Sequence, residues 1–335
     1  MTTERLNEAA ADASAAPAAP PWPLGLRLDE LWLRTRRVAV EQLGERGLWP
    51  GDERYAAVVE QERELGRRLA RELLPPLIGD ELAGALAAGA LFGPAGPDVA
   101  RQLPLMLRFG ALLAGERAEL GALFNLGISL LDCHVDGGGD RSELIRRLTP
   151  ESVRLALVEP GAVRLRRRPA IRRRQPELDV VLALASAFLD GAGQVGRGDP
   201  VLIDDVTHAL RAELASIAPE AAPEVAREKS TRPFAILARL AGDPADDGRD
   251  LGLAFWLLDD VVDLVADLRD GSVNGLLPPR AEPAEAAATL LRDDRVERAA
   301  AHAAAALAAV TARWQDRGEE DRAVRICCYA RDWVR

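Results

Sequence analysis

From about residue 27 onward, apolar positions recur every three to four residues, and few runs alternate as strands do. Ala, Leu, Arg and Glu dominate these stretches, a composition that favours helix. The spacing predicts helices over 27–46, 52–74, 79–91 and 97–136, the last broken near Gly115. Further helices are expected over 177–191, 200–216, 221–241, 247–269, 283–293 and 295–334, with an interruption near Gly318. Gly93-Pro94, Gly137-Gly138-Gly139 and Pro278-Pro279 mark loops. Residues 1–25 read as a disordered Ala- and Pro-rich tail. That leaves 26–335 as one all-α domain, without an internal repeat at a fixed short period.

One predicted helix differs from the rest. In Leu251–Leu277, LGLAFWLLDDVVDLVADLRDGSVNGLL, an apolar helix runs into a series of aspartates and stops at Gly271. At about 100° per residue, Asp259, Asp260, Asp263 and Asp267 fall in one quadrant. Trp256 and Gly252 lie on the same side, one and two turns earlier. Carboxylates converging beside an apolar wall repel one another and resist desolvation unless cations sit among them. Oxygen-only donors suit a hard ion such as Mg²⁺. A solvated helix end accounts for the same pattern.

A second helix, residues 118–136, also ends in aspartates, with Asp132 and Asp136 four apart on one face. Extended backward, that face carries Ser129, Asn125, Gly121 or Ala122, and Ala118, a small and polar stripe on an otherwise apolar helix. The stripe fits either a cavity wall or a close helix–helix contact. Asn125 is one of three asparagines in the chain, and buried polar side chains need partners.

Composition sharpens the picture at one position. The chain of 335 residues has 43 basic residues, and a single one, Lys229, is lysine. A compact ammonium retained against such a bias points to a site where a planar guanidinium does not serve; chance survival is the alternative. Lys229 lies one turn before Pro233, which must kink or start a helix. The net charge of −10 argues against a nucleic-acid surface. Three cysteines, two adjacent, give neither a disulfide framework nor a zinc spacing, and fit a reducing cytoplasm. No run of about 18 apolar residues reads as a membrane span, and the N-terminus does not read as a signal peptide. The run Arg164–Arg174 holds seven arginines and reads as a solvated loop.

Taken in order, these elements resemble those of the class I isoprenoid synthases, the polyprenyl diphosphate synthases and class I terpene cyclases, over roughly residues 27–335. Asp132-Cys133-His134-Val135-Asp136 resembles their first aspartate motif, with the second Asp replaced. Lys229-Ser230 resembles the Lys-Thr element, and Leu251–Asp263 the second motif, with Trp256 in place of Gln. The resemblance implies an all-α bundle with a central active-site cavity. It further implies three Mg²⁺ ions bridging Asp132, Asp136, Asp259, Asp260 and Asp263 to a substrate diphosphate, and a homodimer. Lys229 with Arg146, Arg147 and Arg331 would complete the diphosphate clamp. The Asn125–Ser129 stripe, Trp256, Phe124 and Phe255 would line the cavity, with the Trp256 face able to stabilise a carbocation.

The departures set the expected activity. The early Gly-Lys-Arg element that binds isopentenyl diphosphate in chain-elongating members is missing between Ile78 and Phe109. The expected enzyme is therefore a terpene synthase, a lyase that ionises an allylic diphosphate, farnesyl or geranylgeranyl, and cyclises or quenches the cation. Two rivals remain: a prenyltransferase using isopentenyl diphosphate or another acceptor, and a non-catalytic partner subunit of a prenyl synthase.

Overall fold

A computed structural model describes residues 23–137, 139, 141–161, 175–196, 199–216, 223–277 and 282–335. The Arg164–Arg174 run and the predicted tail up to residue 22 lie outside the described residues. Among the described residues there are fourteen α-helices and no strand, as the periodicity predicts. The first five are α1 (Pro23–Glu45), α2 (Asp52–Ile78), α3 (Asp80–Ala87), α4 (Gly96–Leu113) and α5 (Ala118–Asp136). Next come α6 (Arg141–Arg147), α7 (Pro150–Val158), α8 (Pro176–Val195), α9 (Pro200–Ser216) and α10 (Pro223–Ala241). The chain closes with α11 (Ala245–Asp270), α12 (Pro283–Leu290), α13 (Arg295–Asp316) and α14 (Glu320–Val334).

The expected breaks near Gly115 and Gly318 are present, whereas α6 and α7 are additional. They are seven and nine residues long. α7 starts on a side-chain cap, the Thr149 hydroxyl accepting from the Ser152 amide at 3.1 Å. α2 passes through Pro75-Pro76 to Ile78, four residues beyond its expected end. Pro233 lies inside α10, where it cannot donate to the carbonyl of Lys229 one turn earlier.

One continuous apolar core runs from Leu28 in α1 to Val334 in α14. α11 is its axis, packed on α1, α10, α13 and α14, with an apolar surface from Leu251 to Leu268. Two close approaches position the rest. Gly110 of α4 meets Gly121 of α5, where a Cβ on Gly110 would lie 2.1 Å from the Gly121 carbonyl oxygen. Gly252 of α11 meets Thr231 of α10, with 2.8 Å from a Cβ to the Thr231 carbonyl oxygen. The second contact brings the Lys229 segment alongside the aspartates of α11.

α8 is the one described helix long and apolar enough to cross a membrane by length and composition. Here it packs against α5 and α7. Phe109, Phe234, Phe255, Tyr329 and Trp333 meet between α4, α10, α11 and α14, with ring centroids 4.9–6.3 Å apart around Phe109.

Candidate functional site

The lone lysine sits between two carboxylates. Lys229 Nζ donates to Asp132 Oδ1 at 2.5 Å and lies 3.3 Å from Glu213 Oε1. Three helices, α5, α9 and α10, thus converge on one ammonium. Burial by itself would lower the Lys229 pKa, but the Glu213 and Asp132 charges override it and hold the group protonated. Glu213 is 5 % exposed; burial, and then the Asp132 charge, push its carboxyl well above the usual range.

Among the described residues, Lys229 and Glu213 are also the only charged side chains lining an apolar cavity between α5, α7, α8, α9 and α10. The cavity holds about 660 Å³ of space free of atoms, part of it open to solvent. Phe124, Gly127 and Ile128 of α5 face Leu184 and Phe188 of α8 across it, with the Phe124 and Phe188 rings 4.6 Å apart. The rest of its wall is aliphatic apart from Pro233.

The aspartates of α11 form the second half of the site. Burial, followed by repulsion from Asp263, pushes Asp259 up to about 6, and the charges of Asp267 and Asp132 add to it. Trp333 Nε1 of α14 donates to Asp259 Oδ1 at 3.1 Å. Burial and the Asp259 charge push Asp260 up to about 7, against an opposing hydrogen bond from the Gly275 amide at 3.2 Å. Asp267 is also raised, chiefly by burial, and Asp263, though its side chain is exposed, by the partial desolvation it meets on the ladder. Arg36 of α1, whose Nη1 donates to the Val262 carbonyl at 2.7 Å, counters the rise at Asp263.

The loop after α11 folds back on this ladder. Asn274 Nδ2 donates to the Asp260 carbonyl at 2.8 Å and to Asp267 Oδ2 at 2.9 Å. Its Oδ1 accepts from the Leu276 amide at 2.9 Å. Asp260 is consequently 7 % exposed and turned towards this loop, whereas Asp263 is exposed.

Several expected site residues lie elsewhere. The Asn125–Ser129 stripe packs on α4 and does not line the cavity: Asn125 Nδ2 donates to the Met106 carbonyl at 2.8 Å, and Ser129 Oγ to the Asn125 carbonyl at 2.9 Å. The Gly110–Gly121 approach explains the small side chains on that face. Arg146 and Arg147 both bind Glu143 within α6, at 2.6 and 2.9 Å. Arg331 is 2 % exposed, bonded to the Pro50 carbonyl and Asp52, and stacked on Trp49 and Tyr55. Its place is in the anchorage of α14 to the start of α2. Phe255 belongs to the aromatic cluster and does not line the cavity. Trp256 lies outside the cavity wall too, with the Arg227 guanidinium 5.6 Å from its ring centre. Phe124 is in the wall as expected, and the Asp136 side chain lies outside the described residues.

Glu213, Trp333, Arg36, Arg227 and Asn274 were not singled out from the sequence. Only Asn274 carried a signal, as a rare asparagine in the segment after the second acidic motif.

The donor chemistry suits a hard divalent cation. Asp259, Asp260, Asp263 and Asp267 of α11 are raised by desolvation, and all but Asp263 also by neighbouring carboxylates, a cost that a bound cation would relieve. Among the described residues, no three His, Cys, Asp or Glu side chains converge as a preformed cage. No protein-family model matches the chain, and no curated protein or solved structure matches it significantly.

Proposed function

We propose that the chain is a class I isoprenoid synthase-type enzyme, a terpene synthase that cleaves an allylic prenyl diphosphate and releases pyrophosphate. One observation carries this reading. The only lysine in the protein is held beside Asp132 at the wall of an apolar cavity, and the helix that carries it packs on the second acidic helix at Thr231 and Gly252. A polar head with several negative oxygens and a hydrocarbon tail is the ligand that such a pairing fits.

Asp132 on one side, and Asp259, Asp263 and Asp260 on the other, would hold Mg²⁺, which supplies positive charge to the diphosphate oxygens. Lys229 contributes a fixed ammonium to the same oxygens. The allylic C–O bond breaks with its electron pair on the departing diphosphate, leaving the cation in the hydrocarbon. The apolar wall around Phe124, Ile128 and Phe188 would shelter the cation until it loses a proton to give an alkene or meets water to give an alcohol.

The test is pyrophosphate release, with product extracts analysed by gas chromatography–mass spectrometry. Purified protein and Mg²⁺ would receive geranyl, farnesyl or geranylgeranyl diphosphate, each with and without isopentenyl diphosphate. A hydrocarbon or alcohol from one diphosphate alone supports the proposal, and Lys229→Ala and Asp132→Ala should abolish it. A longer diphosphate formed only with the acceptor would replace it with a prenyltransferase. No turnover in any mixture would favour a non-catalytic partner subunit.

A further inference from the structure

If Arg146, Arg147 and Arg331 are committed to Glu143 and Asp52, a diphosphate held by Lys229 still needs a second cation. The described arginines near the acidic groups narrow the choice. Arg227 lies two residues before Lys229 on α10 and is exposed. It has no carboxylate within ion-pair distance among the described residues, and the adjacent Glu228 is already bonded to Arg232. Its guanidinium lies 5.6 Å from the centre of the Trp256 ring, and Trp256 precedes Asp259 and Asp260 by one helical turn. α10 therefore places Lys229 against Asp132 of the first acidic motif and Arg227 over Trp256, one turn before the second.

A cation–π contact with an aromatic face leaves the N–H groups of a guanidinium free to donate. That geometry suits bidentate binding of a phosphoryl group. We infer that Arg227, carried on the Trp256 ring, is the second diphosphate-binding cation of the site. On this inference Trp256 serves as a platform for a substrate-binding arginine, and its indole face is not open to a carbocation. The inference rests on the proposed function, because it presumes a diphosphate between the two acidic motifs.

Isothermal titration calorimetry with inorganic pyrophosphate and Mg²⁺ separates the two. Wild type should bind, Lys229→Ala should lose binding, and Arg227→Gln should weaken it by about ten-fold or more, the scale of one charge-assisted hydrogen bond. Trp256→Leu should weaken binding in the same direction by removing the platform, with the melting temperature recorded for each variant. Arg249→Gln is the charge control: Arg249 is exposed on α11 and pairs with Asp246, so its loss should leave the affinity unchanged. If Arg227→Gln binds like wild type while Lys229→Ala does not, the Arg227 assignment fails and the diphosphate site stands. A loss at Arg249→Gln equal to that at Arg227→Gln would also overturn it, as a general surface-charge effect. Absence of binding to wild type would overturn both the inference and the reading beneath it.

Discussion

Asn274 shows how much a single side chain can organise. Its amide joins the Asp260 carbonyl, the Asp267 carboxylate and the Leu276 amide, so the loop after α11 is tied to the helix it leaves. Removing it strands buried groups, each costing roughly 1–3 kcal/mol. Asn274→Ala should therefore destabilise the protein by about that amount in urea unfolding, and a change within about 0.5 kcal/mol would place it among neutral surface substitutions. Lys229 was legible from composition because no other lysine competes with it. Glu213, its partner, was not: it is one of 53 acidic residues and stands in no motif. Arg331 was misassigned for a related reason. A sequence gives the charge of an arginine, and only packing shows that Asp52 and the Pro50 carbonyl already hold it.

Between elements, the contacts that matter are close approaches and buried charge pairs. α4 and α5 touch at Gly110 and Gly121 with no room for a methyl group. Gly110→Ala should cost about 1–3 kcal/mol by overpacking. Gly84→Ala in α3, with nothing within 4 Å of the new Cβ, should stabilise by about 0.4–1 kcal/mol. Thermal melts of the two variants should therefore shift in opposite directions. Asp247 of α11 is fully buried and accepts from Arg313 at 2.6 Å, Arg317 at 2.8 Å and Trp314 Nε1 at 3.0 Å. Asp247→Ala leaves these donors facing a void and should destabilise by roughly 3–5 kcal/mol, read as a lower urea midpoint. If the midpoint does not fall, Asp247 does not hold α11 to α13.

For the whole molecule, the acidic ladder makes stability depend on pH. Asp259 and Asp260 titrate at about 6 and about 7 in the folded chain, above the roughly 4 of an unfolded aspartate. The folded state thus binds more protons across that window. Their contribution is fully present below about pH 4 and is lost as pH rises towards about 7. Asp247, whose carboxyl the arginines hold below its ordinary value against the cost of burial, acts in the opposite sense. Its contribution is present above the ordinary value and fades as acid takes the pH down through the lowered one. The metal-free melting temperature should consequently fall between pH 5 and pH 8, and Asp260→Asn should flatten the fall. A profile that rises over this range would contradict the burial of the ladder. The sequence alone determined the all-helical class, most helix positions, the two aspartate-ended helices and the singular lysine, because period, turn residues and composition are local properties. Only the tertiary structure decided that the Asn125–Ser129 stripe packs on α4 while Ile128 and Phe188 line the cavity with Phe124. It also decided that Glu213 completes the Lys229 cluster and that Arg227 lies over the Trp256 ring. Which face of a helix meets a neighbour, and which charge finds a partner, depends on segments distant in the chain, and a local pattern carries no record of them.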